Sequence, residues 1–375
     1  MPISSCRLRA LQETLEAWNL TEFPFLRLRD GVVTPLENSF GSDAELFYFV
    51  PRLARMFALS IEQALWWWDL AFVTTGALIA CTGFWFLAKT WPGRAVASVG
   101  VIGVGTVAWL VGDTYLAPFF ACAFIPWIFV CLEKKSNPGL FCLSFVSGFV
   151  VSFVNSIRLF GGWGLGIMLV CTVLFYTRQM KKSLLVCVLL VCGMGTYHTW
   201  FNSVMTARNA YLQSQNIPYG HFELQHAFWH SIYVGLGFIS NDYGIAYNDS
   251  CALARARQID PDIKYCSPEY DRVLRNEVFA ICMTHQNYVL RQLFAKTGIL
   301  FYYLLLFANI GLLAAFFYRK PWYLDLSYAL ALGFCALPGL ATIPIIPYLI
   351  GFCTIATFYG IHSLLWALQQ TCFFR

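Results

Sequence analysis

Nine continuously apolar stretches, each close to the length of a bilayer crossing, dominate the chain at about residues 64–88, 95–112, 115–132, 139–157, 160–177, 183–200, 297–318, 325–344 and 348–367. A hydrocarbon core about 30 Å thick takes about 20 helical residues to span. Within it the backbone must satisfy its own hydrogen bonds, which leaves helices or closed barrels. The runs do not alternate in polarity, which argues against a barrel. The expected fold is therefore an all-α polytopic membrane protein. Composition agrees: 58% of residues are hydrophobic and only 12% charged, about half the charge of ordinary soluble domains. The net charge of +5 comes from basic residues scattered at span ends, so no nucleic-acid partner is expected.

Basic residues in the short connections set the orientation. Lys89, Arg94, Lys134, Lys135, Arg178, Lys181, Lys182, Arg319, Lys320 and Arg375 fall on one side, and only Arg158 on the other. The first side is expected to be cytoplasmic. Four parts follow: an extracytoplasmic segment 1–62 with interface helices, about six spans in 63–200, an extracytoplasmic loop 201–295, and about three spans in 296–375. Residues 39–62 place apolar residues at helical spacing around Arg52 and Arg55, which suits one or two helices lying in the interface. Residues 1–62 carry no signal peptide, so a polar N-terminus on the outer face is a topological puzzle. Either a first helix is missing upstream or one of the nine spans is misjudged, and the missing helix is favoured.

Of the 14 cysteines, most lie within apolar spans as small packing residues. No CxxC pair is present, so no zinc site is expected. Cys251 and Cys266 lie in the long loop, where a disulfide and free thiols are both open.

Polar residues on the outer side collect in four places. Asp43, within Gly41-Ser42-Asp43-Ala44-Glu45, is a carboxylate at the membrane edge that suits a general base toward an acceptor hydroxyl. A helix N-cap is the competing use, and Glu45 is the fallback base. Asp113, with Tyr115 in the outer hairpin Gly112-Asp113-Thr114-Tyr115, is either a turn residue or part of a substrate site. Arg158 suits a phosphate through bidentate hydrogen bonds, or else snorkels to lipid headgroups.

The fourth place is the long loop. His226 and His230 are four apart and share a helix face. They suit donation to a phosphate, with Trp229 at the interface, or are incidental on an amphipathic helix; a zinc site is not expected. Asp242, Tyr243, Tyr247 and Asp249 have the polar and aromatic mixture of sugar or headgroup contacts. Gly235 and Gly237 make no phosphate-cradling motif. The run 268–291 has helical period, with Tyr270, Leu274, Val278 and Ile281 on one face.

Two of these stretches resemble motifs of the GT-C class of integral-membrane glycosyltransferases, near the dolichyl-phosphate-mannose protein mannosyltransferase-like families. Gly41-Ser42-Asp43-Ala44-Glu45-Leu46-Phe47-Tyr48 is similar to that class's first-loop acidic motif. His226-Ala227-Phe228-Trp229-His230, through Gly235-Leu236-Gly237 to Tyr243-Gly244 and Asp249, is similar to a loop motif of bacterial members. The class begins with one more helix than this chain has. The resemblance implies a GT-C-like bundle in a bacterial inner membrane and an inverting transfer of a sugar from a polyprenyl-phosphate donor on the outer face. It implies Asp43 as base and Arg158, His226 and His230 as ligands of the lipid phosphate. Tyr115, Asp113, Trp229, Asp242, Tyr243 and Asp249 are then substrate contacts. Some members of the class use a second-loop acid with a divalent metal, a role that would fall to Asp113, but most do not and no cofactor is expected; the acceptor is left open. A transporter or flippase of a lipid-linked or small polar substrate, and a degenerate scaffold, are the competing readings. Ion-coupled transport is disfavoured because the spans hold few ionisable groups away from their ends.

Overall fold

A computed structural model of the chain describes residues 5–36, 45–219 and 228–371. The described residues form a helical bundle with eight helices or helical segments long and apolar enough to cross a membrane. All nine expected spans are helical. In order they are α3 (Ile61–Leu87), α4 (Trp91–Val111), the segment Asp113–Glu133, α7 (Asn137–Ile157), α8 (Trp163–Thr177), α9 (Met180–Ser214), α13 (Gln286–Phe317), α14 (Trp322–Ala341) and α15 (Ile346–Gln370). The segment Asp113–Glu133 is a 3-10 turn followed by α5 (Ala117–Cys122) and α6 (Ile125–Glu133). Only α8, at 15 residues, is too short to count among the eight.

α15 is the central element. Most of its residues are buried, and it packs on α4, α5, α13 and α14. Close crossings depend on glycine. A Cβ on Gly311 of α13 would stand 2.2 Å from the Gly360 carbonyl oxygen of α15. At the α7–α9 crossing, Gly148 and Gly193 each leave room for the other helix's backbone, where a Cβ would approach a carbonyl oxygen to 2.0 Å. Without a hydrophobic force between helices in lipid, such backbone approach is what holds spans together. Gly162 and Gly164 serve the same purpose for α8, against Val151 and Cys335.

The N-terminal segment is a small packed unit. α1 (Ser5–Thr21) lies on a hairpin of β1 (Leu26–Arg29) and β2 (Val32–Pro35), paired antiparallel from Leu26↔Pro35 to Arg29↔Val32. Its turn is Asp30-Gly31, both at positive φ (51° and 78°), the conformation that a two-residue hairpin requires. α2 (Leu46–Phe57) is the expected amphipathic helix. Its Leu46, Phe47, Val50 and Ala54 are buried in a core shared with Tyr197 and Phe201 of α9. Arg52 and Arg55 are exposed. Ser60 then caps α3, accepting from the Gln63 amide while the Gln63 side chain accepts from Ser60.

The interval expected to be a loop, 201–295, is mostly helix. α9 continues to Ser214, and α13 begins at Gln286. Hydropathy marks where lipid ends, and a helix does not have to stop there. Between them lie α10 (Phe228–Gly235), α11 (Asp249–Ile259) and α12 (Pro268–Thr284), with a core of their own. α12 buries the expected face: Tyr270, Leu274, Val278 and Ile281. Cys251 and Cys266 are free thiols.

The basic connections meet at one end of the bundle. Lys182 Nζ donates to Asn137 Oδ1 (2.6 Å), Gln369 reaches the Leu87 carbonyl (3.4 Å), and Gln370 reaches that of Arg319 (3.4 Å). The opposite end carries the N-terminal unit and the α10–α12 unit.

Candidate functional site

At that opposite end a cavity of about 310 Å³ opens beneath α10. Its walls come from the start of α5, the α7–α8 hairpin, α10, the loop before α11, and the broken turn between α14 and α15. The break is built by sequence. Pro338 sits in the last turn of α14, which ends at Ala341, and Pro347 opens α15. Lys296, buried in α13, donates from Nζ to the Leu340 carbonyl (2.9 Å) and holds the end of α14 in place. α10 is fastened to the same spot. Its Gly235 lies so close to Ala341 that a Cβ would be 2.1 Å from that carbonyl oxygen. Gln292 donates to the Leu236 carbonyl (2.6 Å), as does the Tyr288 hydroxyl.

Arg158 caps the C-terminus of α7 in extended conformation and enters the cavity wall. Its guanidinium carbon stands 4.2 Å from the Tyr115 ring centre and 5.1 Å from that of Tyr348. The two rings meet edge to face at 5.7 Å. Tyr247 adds its hydroxyl to that of Tyr348 at 3.2 Å. Burial pushes the Tyr247 phenol up, so it stays protonated. A guanidinium close to aromatic rings gains cation–π attraction, and its planar fork of donors matches a phosphate.

On the far wall, His230 of α10 is buried. Its Nδ1 is 2.6 Å from the Tyr270 hydroxyl, and its Nε2 is 3.2 Å from Asp249 Oδ1. Asp249 opens α11 after the Asn248 cap, and its side chain is 76% exposed. Leu159, Ile232, Val234, Pro338 and Pro347 give the cavity an apolar lining.

Arg7 of α1 also lines the cavity and is paired with Asp113. Asp113 is itself tucked inward. Gly112 and Asp113 both have positive φ (64° and 57°), and the Asp113 amide donates to Asp69 Oδ2 (3.3 Å). Aspartate and glycine tolerate that conformation best.

The sequence candidates thus divide. Arg158, Tyr115, His230 and Asp249 line one cavity, and Asp113 stands behind it through Arg7. Both ring nitrogens of His230 are engaged inside the protein, so it meets a phosphate only by giving up a partner. Trp229 does not line the cavity; it packs on Phe279 (5.2 Å), and its amide donates to Asp271. Tyr243 stacks on His285 (4.2 Å), and Asp242 is exposed away from the cavity. Glu45 is fully buried behind α9, where it accepts from the Tyr197 hydroxyl (3.1 Å), so it faces a hydrophobic core and not the cavity. Asp43 and His226 lie outside the described residues.

Sequence reading missed Tyr348, Arg7 and Tyr270 as site residues. Tyr348 sits in an apolar span and Arg7 in a segment without periodic signal, while Tyr270 read only as a core position. Among the described residues no cluster of three or more His, Cys, Asp or Glu side chains could hold a metal. No family model, characterised protein or solved structure matches the chain, so the cavity's own chemistry is what argues for a function.

Proposed function

We propose that the protein transfers a sugar from a polyprenyl-phosphate donor to an acceptor hydroxyl at the cavity end of the bundle, with inversion at the anomeric carbon. The observation that carries this reading is Arg158, placed beside the rings of Tyr115 and Tyr348 in a cavity lined by both apolar and polar side chains. A lipid-linked sugar phosphate has the same mixture of apolar, hydroxyl and anionic chemistry. The cavity volume lies at the low end of the range for small-molecule sites. It suits a sugar phosphate, with the polyprenyl chain left among the apolar helices. Aromatic faces and carboxylates suit sugar hydroxyls. The basic residues at the other end support an extracytoplasmic placing of the cavity, where soluble nucleotide sugars are absent and lipid-linked donors are used. The GT-C resemblance gives the proton-accepting role to Asp43.

Purified protein in lipid nanodiscs, offered a panel of polyprenyl-phosphate sugars, should release polyprenyl phosphate from one of them. Arg158→Ala removes at least one charged hydrogen bond of about 1.5–3 kcal/mol, so donor binding should weaken at least roughly 10- to 150-fold. Arg158→Lys keeps the charge without the fork and should fall between. Wild-type protein that cleaves no donor, or Arg158→Ala that binds it unchanged, would sink the reading. Asp43→Asn tests the role that the resemblance gives to Asp43; unchanged turnover with retained donor binding removes Asp43 from the chemistry.

A further inference from the structure

The polar wall of the cavity is a three-residue chain whose hydrogen positions follow from burial. Tyr270 is completely buried, and among the described residues its hydroxyl bonds only to His230 Nδ1. A buried phenol with one partner would leave its proton unsatisfied if it accepted, and a buried donor without an acceptor costs about 1–3 kcal/mol. Tyr270 therefore donates to Nδ1. The neutral imidazole then carries its hydrogen on Nε2, 3.2 Å from Asp249 Oδ1. Neither ring nitrogen is left to take a proton from a ligand. The next group, on the cavity wall and with its side chain 76% exposed, is the Asp249 carboxylate.

We propose that Asp249, in place of the Asp43 that the GT-C resemblance offers, is the carboxylate that takes the acceptor's proton, and that Tyr270 and His230 are positioning residues that hold it. The proposal rests on the sugar-transfer reading and names a catalytic residue for it. In the step, the acceptor oxygen bonds to the anomeric carbon as its hydrogen passes to an Asp249 oxygen. The bond from the anomeric carbon to the phosphate oxygen breaks. Its electron pair leaves with the polyprenyl phosphate, which gains one negative charge opposite Arg158. No oxidant, metal or further reactant is needed.

The surroundings suit a single working carboxylate. Besides His230, Asp249 interacts electrostatically with Tyr247, Tyr265, Cys266 and Tyr270, and Arg7 and Arg158 line the same cavity. Burial raises all three phenols, and it pushes the Cys266 thiol up to about 11. These four stay neutral at physiological pH. They add hydrogen-bonding surface without competing for the proton.

The test compares Asp249→Asn, Asp249→Ser, His230→Phe and His230→Gln with wild type in nanodiscs, measuring donor binding and turnover separately. Loss of a general base costs roughly 10²–10⁴-fold in rate, so both Asp249 variants should lose that much kcat while donor affinity stays within a few fold. Retained donor binding also shows that each variant folds. His230→Phe removes a hydrogen bond that favours the ionised carboxylate, so the acidic limb of the kcat/KM profile should move to higher pH. Glutamine can still place an N–H near the Nε2 position and should move the limb back toward wild type. A merely structural role for His230 would change kcat without that shift and recovery. Wild-type turnover in Asp249→Asn, or a His230→Phe profile that superposes on wild type, overturns the proposal. An inactive wild type fails the sugar-transfer reading itself, and this step with it.

Discussion

Gly235→Ala should damage the site although alanine is the better helix former. Gly235 has ordinary helical angles (φ −61°, ψ −27°), so its backbone accepts a side chain. Helix propensity alone would favour alanine by about 1 kcal/mol. Space decides the sign. The new Cβ would stand 2.1 Å from the Ala341 carbonyl oxygen and 2.8 Å from that of Thr342, and both are backbone atoms that cannot rotate away. Moving the first contact from 2.1 Å out to 3.4 Å, where ordinary contact begins, separates α10 from the end of α14 by about 1.3 Å. Overpacking of that kind costs about 1–3 kcal/mol, enough to outweigh the propensity gain. His230 and Val234 on α10, and Ala341 and Thr342 beside α14, are facing walls of the cavity. A displacement near 1 Å at a reacting site costs roughly 10² in rate. Thermal unfolding of the purified protein should therefore show Gly235→Ala below wild type, with donor turnover reduced about a hundredfold. Gly298→Ala, on a helix where the added Cβ meets nothing within 4 Å, should melt at or slightly above wild type. If Gly235→Ala melts as high as Gly298→Ala and turns over normally, α10 is not seated against α14 as described.

Further outcomes follow from other buried contacts. Glu13 of α1 bonds Arg27 (2.6 and 2.9 Å) and Arg9 (2.9 Å). Burial would raise its carboxyl, but the two arginines more than offset this and hold it below the ordinary glutamate range. A depressed folded pKa gives stability that is present above the unfolded value, near 4.5, and lost as pH falls through the folded one. Hydrogen exchange of residues 5–36 should accelerate as pH drops below 4.5, beyond its intrinsic pH dependence, and Glu13→Gln should flatten that response. Lys296→Met removes the charged donor to the Leu340 carbonyl and should cost about 1.5–3 kcal/mol, seen as a lower melting temperature; an unchanged one would show that the α14 end is held otherwise. With its thiol pushed up to about 11 by burial, Cys266 should alkylate much more slowly at pH 8 than an exposed cysteine. Rapid labelling would place it in solvent.

How much of this was readable from the chain differs by level. Hydropathy located every span, because lipid contact demands apolar residues whatever the neighbours are. It misjudged the ends of α9 and α13, because a helix runs on into water once its hydrogen bonds are made. The period of 268–291 picked out the buried face of α12, since one helix face buried against neighbours imposes its own spacing. The Asp30-Gly31 dipeptide carried a hairpin signal, hidden in a segment without apolar alternation strong enough to frame it.

The candidate site was legible only as residue types. Arg158 was conspicuous as the one cation among the short connections expected on the outer side, and His230 and Asp249 stood out in a polar interval. That these three share a cavity with Tyr115 and Tyr348 depends on the α14–α15 break and on glycines that let backbones touch. Those contacts join residues far apart in the chain, such as Gly311 with Gly360 and Gly235 with Ala341, and local sequence does not encode them. Tyr270 shows the difference most plainly. Its spacing marked a core position on α12, while only the packing of α10 against α12 put its hydroxyl on an imidazole. The sequence determined which segments leave water and which end of the bundle gathers polar side chains, because partition into lipid is a property of each segment alone. The tertiary structure decided which of those side chains meet, because that depends on how closely one backbone can approach another.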